Sequence, residues 1–175
     1  VSILNMQPPQ IVAAWQRGDI DAAYVWPPAL SEIEKTGTVI ADSGEIGKES
    51  VPTFDGLVVS TEFAEENPAF MKAFTGVLAA AYADYAANGA SWTAQSPEVA
   101  GMVRLIGGNA EDVVGALKLL NYPTRDQQVS DAWLGGGALK ALQESATFLK
   151  DQGQIDAALS DYAPYVNATF AQEAE

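Results

Sequence analysis

Two side chains that usually carry chemistry are missing: among 175 residues there is no histidine and no cysteine. Their absence removes Ser-His-Asp catalysis, HExxH zinc sites, thiolate metal sites and cysteine nucleophiles. Carboxylates, lysines and tyrosines are what remain for acid–base or binding work. Asp55 is the first candidate, since it stands between Phe54 and Gly56 at the head of the apolar run Leu57-Val58-Val59. A carboxylate drawn into a segment that should be buried needs a cation or several donors. Its partner is therefore either an amine ligand or a basic side chain of the chain itself. Trp26 is the second candidate. It closes an apolar run just before Pro27, and open α/β sheets place ligands outside the carboxyl ends of their strands. An indole there is either a ligand contact or part of the core.

Other motifs have simpler readings. Asp19 and Asp21 could be a carboxylate pair for glycoside hydrolysis, but Asp19 occupies a turn where aspartate is structurally favoured. The run Gly135-Gly136-Gly137 invites a phosphate-loop reading, yet GxxxxGK[ST] is not there and a helix break is expected. Asn167-Ala168-Thr169 matches a glycosylation sequon on what reads as a helical stripe, a coincidence of composition. Glu32, Glu34, Glu65, Glu66 and the tail Glu173-Ala174-Glu175 are solvated charge.

The elements that must position these residues change character along the chain. Val1–Asn5, Ile20–Trp26 and Thr38–Asp42 read as strands, and they alternate with helices opened by Pro8-Pro9 and Pro27-Pro28 and closed by Gly18 and Gly37. Residues 42–52 read as a loop and Thr53–Ser60 as a last strand. From there only helices are predicted. Phe70, Phe74, Leu78, Tyr82 and Tyr85 form one stripe of a long helix starting near Asn67-Pro68. Ser96-Pro97-Glu98 and Gly107-Gly108-Asn109 are start and stop signals, with a helix from about Ala110 to Leu120 between Asn109 and Asn121-Tyr122-Pro123. Leu139, Leu142, Ala146 and Leu149 form a further stripe, and Ile155, Leu159, Tyr162, Val166 and Phe170 another that Pro164 should kink. The pattern is an α/β segment followed by an all-helical region, changing near residue 60.

Composition narrows the class. Apolar residues make up 48% and charged residues 18%, a globular balance. The 9 basic against 23 acidic side chains give a net charge of −14. Such a field repels phosphate backbones and anionic headgroups, so neither nucleic acid nor a membrane surface is an expected partner. No apolar run is long enough to span a bilayer. No signal peptide precedes Val1, whose segment already reads as a strand, so cleavage upstream or a start inside a larger fold is expected.

The sequence also carries a resemblance. Leu4-Asn5-Met6-Gln7-Pro8-Pro9, then Ala13-Ala14-Trp15-Gln16-Arg17-Gly18-Asp19-Ile20-Asp21-Ala22-Ala23-Tyr24-Val25-Trp26 with Pro28-Ala29, closely resembles the taurine-binding periplasmic proteins of ABC importers. Pro52-Thr53-Phe54-Asp55, Phe63-Ala64-Glu65 and Phe148-Leu149-Lys150-Asp151-Gln152-Gly153 continue it. Gly18–Ala22 alone would suggest only the wider sulfonate, nitrate and thiamine-precursor group. The resemblance implies a two-lobe α/β periplasmic-binding-protein fold of which this chain is the C-terminal portion. Residues 1–55 would be the remainder of the second lobe, 56–60 a crossing strand or hinge, and 61–175 helices serving mainly the first lobe.

It further implies a non-enzymatic, monomeric protein without cofactor or metal, exported to the periplasm by a signal peptide in the parent chain. Such a protein would capture taurine and deliver it to a membrane permease. Asp55 would hold the ammonium, Trp26 would cover the ethylene bridge or face the ammonium, and Gln7 would line the site. The sulfonate would meet a hydroxyl-rich turn and helix N-terminus upstream of Val1. A different aliphatic sulfonate or small zwitterion, or an enzyme acting on a sulfonate-like substrate, are the competing readings.

Overall fold

A computed structural model describes residues 1–174. The chain divides into two compact units.

The first unit comprises Val1–Ile40 and Ser91–Asn121. Its helices are α1 (Pro8–Arg17), α2 (Ala29–Ile33), α6 (Pro97–Ile106) and α7 (Ala110–Leu119). Proline sits in the first turn of α1, where its missing N–H has no intrahelical role, and Gly18 ends the helix at φ 75°. Ala14, Ala29 and Ile33 are buried between α1 and α2. The Trp15 indole N–H donates to Thr36 Oγ1 at 2.9 Å. Gly37 keeps the chain close beneath that indole, since a Cβ there would meet the Trp15 ring at 3.0 Å. In the α6–α7 pair, Gly107 turns the chain at φ 78° and Asn109 Oδ1 accepts the Asp112 N–H at 2.8 Å. Val99 and Val113 are the buried residues of these two helices.

The second unit comprises Ala41–Ala90 and the chain from Tyr122 onward. It contains α3 (Ser43–Glu49), α4 (Thr61–Glu66), α5 (Pro68–Asn88), α8 (Arg125–Gln128), α9 (Gly137–Asp151) and α10 (Thr169–Gln172). The long α5 is the organising element, with α4, α8 and α10 packed on it. Phe63 meets Phe70 edge-on at 5.7 Å, and Phe70 stacks on Phe74 at 5.9 Å, both favoured arrangements for aromatic pairs. Thr75 Oγ1 donates to the Phe170 carbonyl at 3.0 Å, and Arg125 Nη1 donates to the Ala174 carbonyl at 2.8 Å, so two side chains secure the last helix.

Helix starts and stops fall where the sequence places them for α1, α6 and α7, and α5 starts where expected. Three expectations are corrected. Among the described residues no strand forms, so the α/β layer is not built: the runs at 1–5, 20–26, 38–42 and 53–60 carry no ladder. A helix satisfies its backbone within itself, whereas a strand needs a neighbour's N–H and C=O groups. These runs have none, and Ile3, Ile40 and Val58 are 93%, 89% and 96% exposed. Residues 43–49, expected as loop, form α3 because Asp42 Oδ1 accepts the Glu45 N–H at 2.8 Å. This is an Asp-x-x-Glu start signal. The stripe from Ile155 to Phe170 is not one helix. Asp161 and Asn167 side chains take the N–H groups of Ala163 and Thr169, both at 2.8 Å. Such local turns compete with helix. Asn167 of the sequon thus lies in a turn. Glu175 of the acidic tail lies outside the described residues.

Candidate ligand-binding site

Gln7 and Trp26 belong to the first unit, Asp55 to the second. Gln7 is exposed just ahead of α1, its N–H donating to Gln10 Oε1 at 3.0 Å. Trp26 is 61% exposed, which removes its core reading; its carbonyl accepts the Leu30 N–H at the start of α2. Asp19 is engaged by Arg17, Nε to Oδ2 2.7 Å, consistent with a structural turn residue. A groove beside α1 is lined by Met6, Gln10, Ala13, Ala14 and Arg17, and its one cation is the guanidinium paired with Asp19.

Asp55 is exposed rather than partly buried, because its segment has no sheet to enter. Among the described residues no ion pair reaches it, so the basic partner that would have explained it structurally is not there. Its charge reaches Tyr122, the centre of an aromatic cluster. Tyr82 and Tyr85, three residues apart on α5, share a face. Both meet Tyr122 edge-on, at 5.4 and 4.9 Å between ring centres. Gly89 is buried under the Tyr85 ring, which a Cβ there would overlap. Burial pushes the Tyr122 phenol above its ordinary 10.0, and Tyr85, Tyr82 and Asp55 push it the same way, since each disfavours the charged form. Tyr122 therefore stays neutral near Asp55, leaving the carboxylate as the negative group of this neighbourhood.

A cavity of about 90 Å³ is lined by Pro52, Thr53 and Phe54 of the same segment and by Ala132, Trp133, Gly137, Ala138 and Ala141. Neither the tyrosine cluster nor Trp133 was singled out as a site in the sequence, since Tyr82 and Tyr85 read as a core stripe. The triple glycine is a helix break. The N–H groups of Gly135, Gly136 and Gly137 donate to the carbonyls of Ser130, Trp133 and Asp131, so none is left for a phosphate. Among the described residues no group of three or more His, Cys, Asp or Glu could hold a metal, and no helix is long and apolar enough to cross a membrane.

The segment 52–55 thus joins three residues that line a small, largely apolar cavity to an exposed carboxylate whose charge reaches Tyr122. The comparisons with known proteins give the class of protein. Residues 2–99 match the family model of the substrate binding domain of an ABC-type glycine betaine transport system, over half of the chain, and the chain belongs to that family. Among curated relatives it is 44% identical over 172 residues to the taurine-binding periplasmic protein of Escherichia coli (strain K12), covering 98% of this chain and 53% of the relative. It is also 37% identical over 79 residues to a putative aliphatic sulfonates-binding protein of Bacillus subtilis (strain 168), 42% of this chain and 23% of the relative. The chain thus spans about half the length of the Escherichia coli relative.

Proposed function

We propose that this chain is part of the solute-binding component of an ABC importer that captures taurine in the periplasm and delivers it to a membrane permease. The observation that carries the reading is the 44% identity to a taurine-binding protein across 98% of the chain. Taurine joins an always-anionic sulfonate to an ammonium two carbons away. Taking both out of water requires a complement at each end. Asp55, exposed and with no ion-pair partner among the described residues, supplies the ammonium complement. Trp26 and Gln7 line the site. The lobes divide as the resemblance implies, with 1–55 and 61–175 on either side of a hinge at 56–60, and the closed, ligand-bridged state docks on the permease. Binding without chemical conversion is the expected action, and the protein is expected to act as a monomer.

Calorimetry with taurine and ethanesulfonate tests this directly, because only taurine offers an ammonium. Asp55→Asn should weaken taurine at least tenfold, about 1.4 kcal/mol, and leave ethanesulfonate unchanged. Equal affinity for both ligands in the unaltered protein would favour the second reading, an aliphatic sulfonate binder, for which the Bacillus subtilis relative is the support. Conversion of taurine on prolonged incubation would favour an enzyme instead.

A further inference from the structure

Trp15 has no role in the reading above, yet its indole N–H reaches across twenty-one residues of chain to Thr36 Oγ1 at 2.9 Å. The Thr36 and Gly37 N–H groups both donate to the Ile33 carbonyl, at 3.1 and 2.8 Å, which ties that hydroxyl to the last residue of α2. At the opposite end of α2 the Leu30 N–H donates to the Trp26 carbonyl at 3.1 Å, and the Glu34 N–H donates to the Leu30 carbonyl at 2.9 Å. Hydrogen bonds thus run from Trp15 through α2 to the backbone of Trp26.

Each step of that path answers a physical need. α2 has five residues, too few to persist as a helix without tertiary support. Ala14, Ala29 and Ile33 bury it against α1, but apolar burial is non-directional and leaves the helix free to turn. A hydrogen bond is directional and removes that freedom. Gly37 permits it, because a Cβ there would meet the Trp15 ring at 3.0 Å and the Ile33 carbonyl at 3.1 Å. Trp26 is 61% exposed, so its setting comes from the backbone that carries it rather than from packing around its ring.

We infer that Trp15 is a positioning residue for solute binding, which acts through Thr36 and α2 to fix the backbone from which Trp26 meets the solute. The inference rests on the lining role given to Trp26 above and adds the contact that holds it ready. Where only a fraction of molecules keep the binding-competent setting, affinity falls by that fraction. Losing one net hydrogen bond corresponds to about a fivefold loss.

The test compares Thr36→Val, which removes the acceptor and keeps the side-chain shape, with Thr36→Ser, which restores a hydroxyl, in the 175-residue chain. Taurine binding is read by calorimetry, and the setting of Trp26 by fluorine NMR of chain labelled with fluorotryptophan, its four signals assigned by substitution. Thr36→Val should weaken taurine about fivefold and shift the Trp26 signal, and Thr36→Ser should recover both. A Trp26 signal that stays in place in Thr36→Val, or a taurine affinity that does, overturns the inference. Equal weakening in both variants overturns it too, because the hydroxyl is then not what matters. Trp26→Ala separates the two levels. If it weakens taurine while Thr36→Val does not, the lining role stands and the positioning role falls; if it has no effect, the lining role falls and takes the inference with it. The unaltered chain decides the matter even where Thr36→Val does not fold. Coupling is reciprocal, so saturating taurine should slow exchange of the Trp15 indole N–H with solvent. An exchange rate unchanged by taurine overturns the inference.

Discussion

Gly137 shows how one missing methyl group shapes this site. A Cβ there would overlap the Ala132 carbonyl, and one at Gly135 would come within 2.8 Å of the Ser130 carbonyl. Both obstacles are backbone and cannot swing aside. Gly137→Ala should therefore open the turn that carries Trp133, destabilising the chain by about 1 to 3 kcal/mol in urea unfolding, as overpacking does. Gly115, where a Cβ would meet nothing within 4 Å, is the control. Gly115→Ala should be neutral or slightly stabilising, because alanine favours a helix interior. Equal behaviour of the two variants would show that the turn yields. Type and position make Asp55 a candidate in the sequence, but neither its exposure in the structure nor the Tyr82–Tyr85–Tyr122 contact was legible there. Tyr122 reads only as the residue before a helix-ending proline, and its meeting with α5 is a long-range event that no local pattern encodes.

At the scale of elements, the legible parts are those whose backbone is satisfied locally. The boundaries of α6 and α7 follow from Gly107 and Asn109, and the structure places the Asn109 Oδ1 on the Asp112 N–H at 2.8 Å. Asn109→Ala should cost about 1 kcal/mol, read as a lower denaturation midpoint with an unchanged slope. Asn109→Gly should cost only a few tenths, since glycine tolerates the cap geometry. Equal losses in both variants would mean that the side chain acts elsewhere than at the cap. The short helix α3 was missed although its Asp-x-x-Glu start was visible, because glycines at 44 and 47 argue for loop. The stripe from Ile155 to Phe170 failed the opposite way: its apolar spacing is helical, but Asp161 and Asn167 offer the backbone a nearer partner.

Over the whole molecule, the four β-prone runs depend on partners that local sequence cannot supply, which is why their composition predicts strands and their backbone forms none. The charge distribution is legible from composition alone. With 23 acidic and 9 basic residues the chain carries −14, so like-charge repulsion opposes the compact state. Among the described residues, the ion pairs Arg17–Asp19, Lys35–Glu32, Arg125–Asp126 and Lys140–Glu144 all lie at the surface. Each such pair contributes between about 0 and 1 kcal/mol. Salt screens both contributions, and the repulsion involves far more charges than the pairs. Raising sodium chloride to physiological strength, where the Debye length is about 8 Å, should therefore raise the melting temperature. Chloride rather than sulfate keeps surface-exclusion effects out of the comparison. Lowering the pH toward the carboxylate range should reduce the salt effect as the net charge shrinks, because the repulsion being screened is then smaller. A melting temperature that falls with added chloride at neutral pH would mean that the surface pairs outweigh the repulsion, and that the excess of carboxylates is spread too widely to strain the fold.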